Sequence, residues 1–176
     1  MPYAIELYLD KESAEKVQNI RTKLKENGIT VDEGAKPHVS LVIYEELNLQ
    51  VFKPRLQEFA KQKNSLNITL ASIGMFATEY PVVFLAPTVT SNLLKLHKEF
   101  HDFFRESDNV AWDYYRPEKW VPHCTLAMNL SDDMVSEAIE ITRHFSLPIH
   151  GRLNRIGVLE FSPNKHLFEY EMIREL

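Results

Sequence analysis

The sequence is short of several features that define large classes of protein. It has one cysteine, Cys124, among 176 residues, which excludes an internal disulfide framework and fits a reducing compartment. The first residues carry no basic segment followed by a long apolar run, and no stretch reaches the length of a membrane span. We therefore expect a soluble, cytoplasmic protein with no membrane partner.

An excess of positive charge is also missing. The 20 Lys and Arg residues are outnumbered by 25 Asp and Glu residues, so the formal net charge is −5. A negative total indicates no broad basic surface for duplex DNA, although it is compatible with a local basic cleft. We expect no binding to duplex DNA, and we favour small substrates or RNA termini over long RNA.

What is present is the composition of an ordinary globular protein, with 44% hydrophobic and 11% aromatic residues. A chain of this length can bury one sizeable core or two small lobes that share one. We expect a single domain over residues 1–176, and a monomer.

The predicted elements run in one order through both halves of the chain. In the first half, strand, helix, strand, helix and strand correspond to PYAIELYLD, KESAEKVQNIRTKLKENG, HVSLVIY, Phe52–Gln62 and LNITLASIGMF. The second half repeats this order over PVVFLAP, TSNLLKLHKEFHDFFRES, VPHCTLAM, SDDMVSEAIEITRHF and LPIHGRLNRIGVLEF, and adds the strand HLFEYEMIREL after a turn at Ser162, Pro163 and Asn164. The expected helix-capping residues are Ser13, Thr90 or Ser91, and Ser131, and Gly28 suits a left-handed helix exit.

We interpret the halves, about 1–77 and 78–176, as a duplication of order. The prediction is an α+β fold that is bilobal. Its two lobes are related by a pseudo-twofold axis, and each is an antiparallel sheet covered by helices, with a central cleft between them.

A five-residue pattern occurs once in each half. Residues 37–41 read PHVSL and residues 122–126 read PHCTL. A related HFSL at residues 144–147 lies at the end of a predicted helix and runs into a proline, so we treat it as unrelated. The duplication predicts that His38 and His123 face one another across the cleft.

The residue types in this pattern suit acid–base catalysis at a phosphate ester. Because side chains two apart in a strand share a face, we expect Ser40 and Tyr44 beside His38, and Thr125 beside His123. Two imidazoles can remove one proton and deliver another near neutral pH, and the Ser and Thr hydroxyls can hold phosphate oxygens as charge develops. The pattern indicates phosphodiester cleavage without a metal or cofactor, and it leaves open which histidine is the base.

The two motifs resemble those of the 2H phosphoesterases, within them the 2'-5' RNA ligase-like (RNA 2',3'-cyclic phosphodiesterase) branch. The order and spacing of the elements extend the resemblance over nearly the whole chain, whereas identity of residues is confined to PHVSL and PHCTL. The resemblance implies that His38 and His123 form a catalytic acid–base pair and that Ser40 and Thr125 bind phosphate. It also implies a bilobal, metal-independent enzyme that acts on cyclic phosphates or 2'-5' linkages.

The segment WDYYRPEKW, residues 112–120, mixes aromatic and basic side chains in the way that single-stranded nucleic-acid sites do. We take Tyr115 and Arg116 from it, together with Tyr44, as further substrate-binding candidates. The alternative is that the loop packs its aromatic rings against the rest of the protein.

Two other features have structural interpretations. His97 and His101 stand four residues apart, as zinc ligands on helices do, but no third ligand is evident nearby, so we expect a structural or solvent-facing pair. Cys124 falls on the apolar side of its strand and is expected to be buried.

The sequence therefore predicts a phosphoesterase that opens a 2',3'-cyclic phosphate on a nucleotide or an RNA end. The alternatives are a 2'-5' phosphodiester hydrolase or ligase that uses the same four motif residues, and a nucleotide- or RNA-end-binding module without turnover.

Overall fold

The computed structural model describes residues 1–161 and 163–174, and within them the chain forms a mixed structure of four α-helices and seven strands. The predicted α+β class is confirmed. The elements in chain order are β1 (Tyr3–Leu9), α1 (Lys11–Glu26), β2 (His38–Tyr44), α2 (Leu49–Gln62), β3 (Leu66–Phe76), β4 (Val82–Pro87), α3 (Ser91–Phe103), β5 (Cys124–Ala127), α4 (Asp132–Thr142), β6 (Ile149–Glu160) and β7 (Lys165–Glu171), with 3-10 turns at Arg105–Val110 and Asp113–Tyr115.

The strand order is symmetric with respect to the two halves of the chain. The sheet runs β2-β1-β6-β3-β4-β5, with β7 paired to β6, and all neighbours are antiparallel. Exchanging β1 with β4, β2 with β5 and β3 with β6 gives the same order, read from the other end of the sheet. The two motif strands, β2 and β5, therefore occupy the two ends of the order, and they approach each other with Cα atoms within 8 Å. The sheet curls until its ends meet.

The structure shows one hydrogen-bonded sheet where the sequence predicts a separate sheet for each half. Strand β6 is 12 residues long, and different parts of it pair with strands of both halves. Its register with β1 runs from Leu153 to Glu160, and its register with β3 runs from Ile149 to Leu153. The bilobal division is not confirmed, and the boundary between residues 77 and 78 stays a prediction.

The helix starts follow the capping side chains. Asp10, not Ser13, caps α1: its carboxylate accepts the backbone N–H of Ser13, which lies buried inside the helix. Of the two candidates for α3 the cap is Thr90, and the expectation of Ser131 for α4 is confirmed. Asn48 caps α2, which therefore begins at Leu49, earlier than the predicted Phe52.

Three further details of the chain bear on the sequence predictions. Because α2 starts early, Pro54 lies in its second turn, where proline removes a helical hydrogen bond. Gly28 has φ of +79°, as expected for the exit of α1. In the turn between β6 and β7, Pro163 and Asn164 are as predicted, and Ser162 lies outside the described residues.

The core lies between the sheet and the helices. Helix α1 buries Val17, Ile20 and Leu24, the face that the helical spacing predicts, and every residue of β2 is buried. Cys124 is also fully buried, as expected. In the described part of the chain, none of the helices combines the length and hydrophobicity needed to cross a membrane.

We predict that Asp10→Ala lowers the free energy of unfolding by about 1–2 kcal/mol, because it removes the N-cap acceptor of α1. The same carboxylate also accepts the backbone N–H of Arg152 on β6, so the loss should lie in the upper part of this range. Urea denaturation followed by circular dichroism measures it. The matched variant Ser13→Ala removes a hydroxyl that donates to the Asp10 carbonyl at 3.3 Å and also hydrogen-bonds the Asp10 carboxylate. It keeps the backbone N–H that Asp10 caps, so it should cost less than half as much. An equal or larger loss for Ser13→Ala would return the capping role to Ser13.

Candidate active site

The two motif strands carry a β-bulge at the same place. Between β1 and β2 the pairing changes from Glu6↔Ser40 to Ile5↔Val42, which leaves Leu41 as an extra residue. Between β4 and β5 it changes from Phe84↔Thr125 to Val83↔Ala127, which leaves Leu126 as the extra residue. The leucine shared by PHVSL and PHCTL is thus the bulged residue in both motifs. A bulge turns the strand locally and reverses the side that later residues face.

The two histidines are oriented by identical hydrogen bonds. His38 Nδ1 lies 2.7 Å from the carbonyl oxygen of Lys36, and His123 Nδ1 lies 2.7 Å from that of Val121. The residue before a proline is restricted to extended conformations, which explains why a proline stands between each histidine and its carbonyl partner. A carbonyl only accepts, so each Nδ1 carries hydrogen, and the neutral ring presents its lone pair at Nε2.

The Nε2 side of His38 faces a carboxyl group. Glu6, paired in register with Ser40, places Oε1 3.2 Å from His38 Nε2. Burial lowers the pKa of His38 to about 3, and burial raises the pKa of Glu6 to about 8. At neutral pH the pair therefore keeps one proton and no net charge.

His123 has apolar surroundings instead. Its ring packs 4.8 Å from that of Phe76 and 5.3 Å from that of Phe84, between ring centroids. Phe84 is paired in register with Thr125, so it occupies the position that Glu6 occupies in the other half. Burial lowers the pKa of His123, which favours the neutral ring.

A buried arginine of the first half supports the motif strand of the second half. Arg21 on α1 is 1% exposed, and its guanidinium donates to the Thr125 carbonyl at 2.6 and 3.1 Å and to the Ala35 carbonyl at 2.7 Å. Its charge is matched by Asp32 at 3.5 Å. Arg21 therefore fixes the backbone of the second motif at the residue before its bulge.

Aromatic side chains of the second half support the motif strand of the first half in return. Trp120 Nε1 donates to the Ser40 carbonyl at 3.0 Å, and His97 Nε2 lies 3.1 Å from the Leu41 carbonyl. The His97 and Trp120 rings stack with centroids 3.9 Å apart and planes 3° from parallel. Each bulge is thus held by side chains from the opposite half of the sequence.

The pair His97 and His101 is built into this support. Nε2 of each lies close to the Tyr115 carbonyl, at 2.9 and 3.1 Å. Among residues 1–161 and 163–174 no group of three or more His, Cys, Asp or Glu side chains is arranged to hold a metal ion. The pair positions the loop that contains Tyr115.

Tyr44 does not lie on the face of His38, so the prediction that it does is wrong. The bulge at Leu41 shifts the alternation by one residue, and Tyr44 turns into the core, where its ring packs at 6.0 Å against Phe52 of α2. Ile43 takes the other side and packs with Ala4.

The two loop candidates occupy different environments. Tyr115 packs against Ala4 and Ile43, and burial together with the nearby Glu6 raises the pKa of its hydroxyl to about 12. Arg116 is partly exposed, and its Nε lies 3.9 Å from a carboxylate oxygen of Asp113. The structure brings Tyr115 to the Glu6 side of the site, whereas Arg116 lies at the loop surface.

Sequence reasoning missed Glu6 and Arg21, although both left a signal. Glu6 is the only charged residue in the strand YAIELYL, and alternation puts it on one face with Tyr8. Arg21 lies at helical spacing with Val17, Ile20 and Leu24, so it falls on the buried face of α1. A lone charge on a buried face indicates a fixed partner.

A separate groove of about 650 Å³ runs between α1 and residues 31–37. Its basic side chains are engaged by carboxylates, in the pairs Lys11–Glu15, Lys25–Glu33, Lys36–Glu169 and Arg155–Glu169. Neither motif histidine lines it.

Comparison with known proteins identifies the family of this chain. A family model described as the 2'-5' RNA ligase superfamily matches residues 9–164. The chain belongs to this superfamily. The match covers both histidine motifs, and it confirms the resemblance to the 2H phosphoesterases. No curated protein sequence matches the chain significantly.

Solved structures share the fold of this 2'-5' RNA ligase superfamily member. TT0787 of Thermus thermophilus is 14% identical, with a TM-score of 0.70, and the match covers 98% of each chain. LigT of E. coli in its apo form is 16% identical, with a TM-score of 0.65, and covers 97% of this chain and 96% of its own. LigT complexed with 3'-AMP is 13% identical, with a TM-score of 0.63 and the same coverage. At these identities the likeness concerns the fold.

We predict that Arg21→Met lowers the free energy of unfolding by about 3 kcal/mol, because it leaves buried carbonyls and Asp32 without their partner. Urea denaturation measures the loss. The matched variant Arg143→Met, at the exposed C-cap of α4, should cause no measurable change. Equal stability of Arg21→Met and wild type would show that the carbonyls of Ala35 and Thr125 do not depend on Arg21.

Proposed function

We propose that the protein is a phosphoesterase that opens 2',3'-cyclic phosphates of nucleotides or RNA ends to monophosphates. The observation that carries the proposal is the matched pair of histidines. Both are anchored through Nδ1 by the carbonyl two residues upstream; His38 begins β2 and His123 directly precedes β5, and these two strands approach within 8 Å. Burial is the main cause of the lowered pKa of His38, and the nearby Arg21 and His123 lower it further.

The chemistry follows from the atoms that each motif presents. One Nε2 accepts a proton from the attacking water, and the other donates a proton to the leaving ribose oxygen. The hydroxyls of Ser40 and Thr125 stand two residues after the histidines and are proposed to hold the phosphate oxygens. Two imidazoles provide both proton transfers, so the mechanism requires no metal ion.

We propose small nucleotides as substrates of this site. LigT, which shares the fold, has been solved with 3'-AMP, one of the two products that opening of a 2',3'-cyclic nucleotide can give. We propose that Tyr115 contributes to the wall of the site near His38 and that Arg116 reaches the substrate from the loop surface. Tyr44, which packs in the core, is withdrawn as a substrate-binding candidate.

We predict that phosphorus NMR will show conversion of 2',3'-cyclic nucleotides and of an oligonucleotide with a cyclic-phosphate end, with EDTA present. His38→Gln and His123→Gln should each lower the rate by about 100-fold or more, because each removes one partner in general acid–base catalysis. Whether the product carries a 2'- or a 3'-phosphate identifies the leaving oxygen.

The matched control is His144→Gln, in the third His-x-Ser sequence. His144 is exposed at the end of α4 and pairs with Glu140, so this variant should keep the wild-type rate. Turnover of 2'-5'-linked oligonucleotides alone would contradict the cyclic substrate and establish the 2'-5' hydrolase or ligase alternative. Binding without any turnover, unchanged in both motif variants, would establish the binding module.

A further inference from the structure

One buried carboxyl group distinguishes the surroundings of the two histidines. Glu6 is 1% exposed, and its Oε1 lies 3.2 Å from His38 Nε2, the atom that would exchange protons with the substrate. Its second oxygen, Oε2, is buried and has no hydrogen-bond partner within residues 1–161 and 163–174. At the matching position of the other half stands Phe84, which offers no proton.

Geometry requires a proton in the contact between Glu6 and His38. The Lys36 carbonyl fixes hydrogen on Nδ1 of His38, so a neutral ring directs a lone pair at Glu6. A carboxylate facing a lone pair in a buried site would be repelled, whereas a single proton between the two groups makes the contact a hydrogen bond. The buried pair is therefore stable with one proton, on either partner.

Some of the groups around Glu6 raise its pKa, and others lower it. Burial raises its pKa most, the Tyr8 hydroxyl and the cations Arg21 and Lys36 lower it, and Asp32 raises it further; the net result is a value of about 8. Tyr115 faces it from the loop, and the carboxyl of Glu6 contributes to the raised pKa of that hydroxyl. The pair is thus protonated through the neutral range.

We propose that Glu6 is a positioning residue that holds the proton which His38 delivers to the leaving oxygen, so that His38 is the general acid and His123 the general base. This inference rests on the proposed function. Glu6 acts through His38.

The proton transfers balance in this assignment. Water forms the new bond to phosphorus and gives its proton to His123 Nε2, while the bond from phosphorus to the ribose oxygen breaks. The single proton shared by Glu6 and His38 passes through His38 Nε2 to the ribose oxygen, which leaves His38 neutral and Glu6 as a carboxylate. After product release, His123 loses its proton to solvent and the Glu6–His38 pair regains one.

The test compares the pH dependence of turnover for wild type, Glu6→Gln and Glu6→Asp with a 2',3'-cyclic nucleotide. Wild type should keep its rate up to about pH 8, where the pair loses its proton. In Glu6→Gln the proton must sit on His38 alone, whose pKa burial lowers, so the decline begins at lower pH. Relative to wild type, we expect Glu6→Gln to turn over about 10-fold more slowly at pH 5 and more than about 100-fold more slowly at pH 8. These factors lie within the range for general acid catalysis.

Two variants separate this role from a structural one. Glu6→Asp keeps a carboxyl group, so it should be slower than wild type but keep the shape of the wild-type profile. Glu160→Gln, a half-buried carboxyl on β6 next to Tyr3, should match wild type throughout. Parallel profiles for wild type and Glu6→Gln would overturn the proposal, as would a Glu6→Asp profile that follows Glu6→Gln. If circular dichroism shows that Glu6→Gln does not fold, the pH profile of Glu6→Asp is compared with that of wild type alone. A Glu6→Asp profile whose decline begins at lower pH than that of wild type would then overturn the proposal.

A measurement without substrate separates this inference from the proposed function. In protein labelled with nitrogen-15, the ring nitrogens of His38 should shift near pH 8 in wild type, and this transition should be absent from Glu6→Gln. An inactive wild type that keeps the transition would overturn the proposed function and leave the shared proton established. A wild type without the transition would overturn the shared proton.

Discussion

The site depends on backbone carbonyls at two β-bulges that are held by side chains from the opposite half of the chain. A bulge leaves carbonyl groups outside the regular ladder, and buried carbonyls need donors. Arg21 supplies them at Thr125, and Trp120 with His97 supplies them at Ser40 and Leu41. Because each half supports the motif of the other, the geometry of either motif requires that the whole chain is folded.

The two supports use different chemistry for one task. Arg21 satisfies two carbonyls with a buried charge that Asp32 compensates, whereas His97 and Trp120 use neutral donors in stacked rings. The same divergence appears at the histidines, where Glu6 and Phe84 occupy matching register positions. A duplicated backbone thus carries different side chains, and two equivalent imidazoles gain unequal environments.

The sequence predicted most of the elements and the two motifs, because hydrophobic periodicity and a repeated pattern depend on local rules. It misplaced Tyr44, because alternation along HVSLVIY gives no sign of the extra residue at Leu41. It missed the continuous sheet, since the pairing of β6 with both β1 and β3 is a long-range property of a 12-residue strand. Glu6 could be recognised as unusual in an apolar strand, but its distance from His38 depends on the register between β1 and β2.

The curled sheet has a consequence for the behaviour of the protein at high concentration. The ends of an open sheet expose unpaired N–H and C=O groups, to which strands of other molecules can add. Here the two end strands lie against one another, with Val31 and Ala111 bridged to their tips, so the histidine motifs also shield these edges from intermolecular pairing. Strand β7 pairs on one side with β6 and on its other side with no strand among residues 1–161 and 163–174. It carries Lys165, Glu169 and Glu171, charges that disfavour strand addition. The arrangement that brings the motifs together therefore also protects the sheet against self-association.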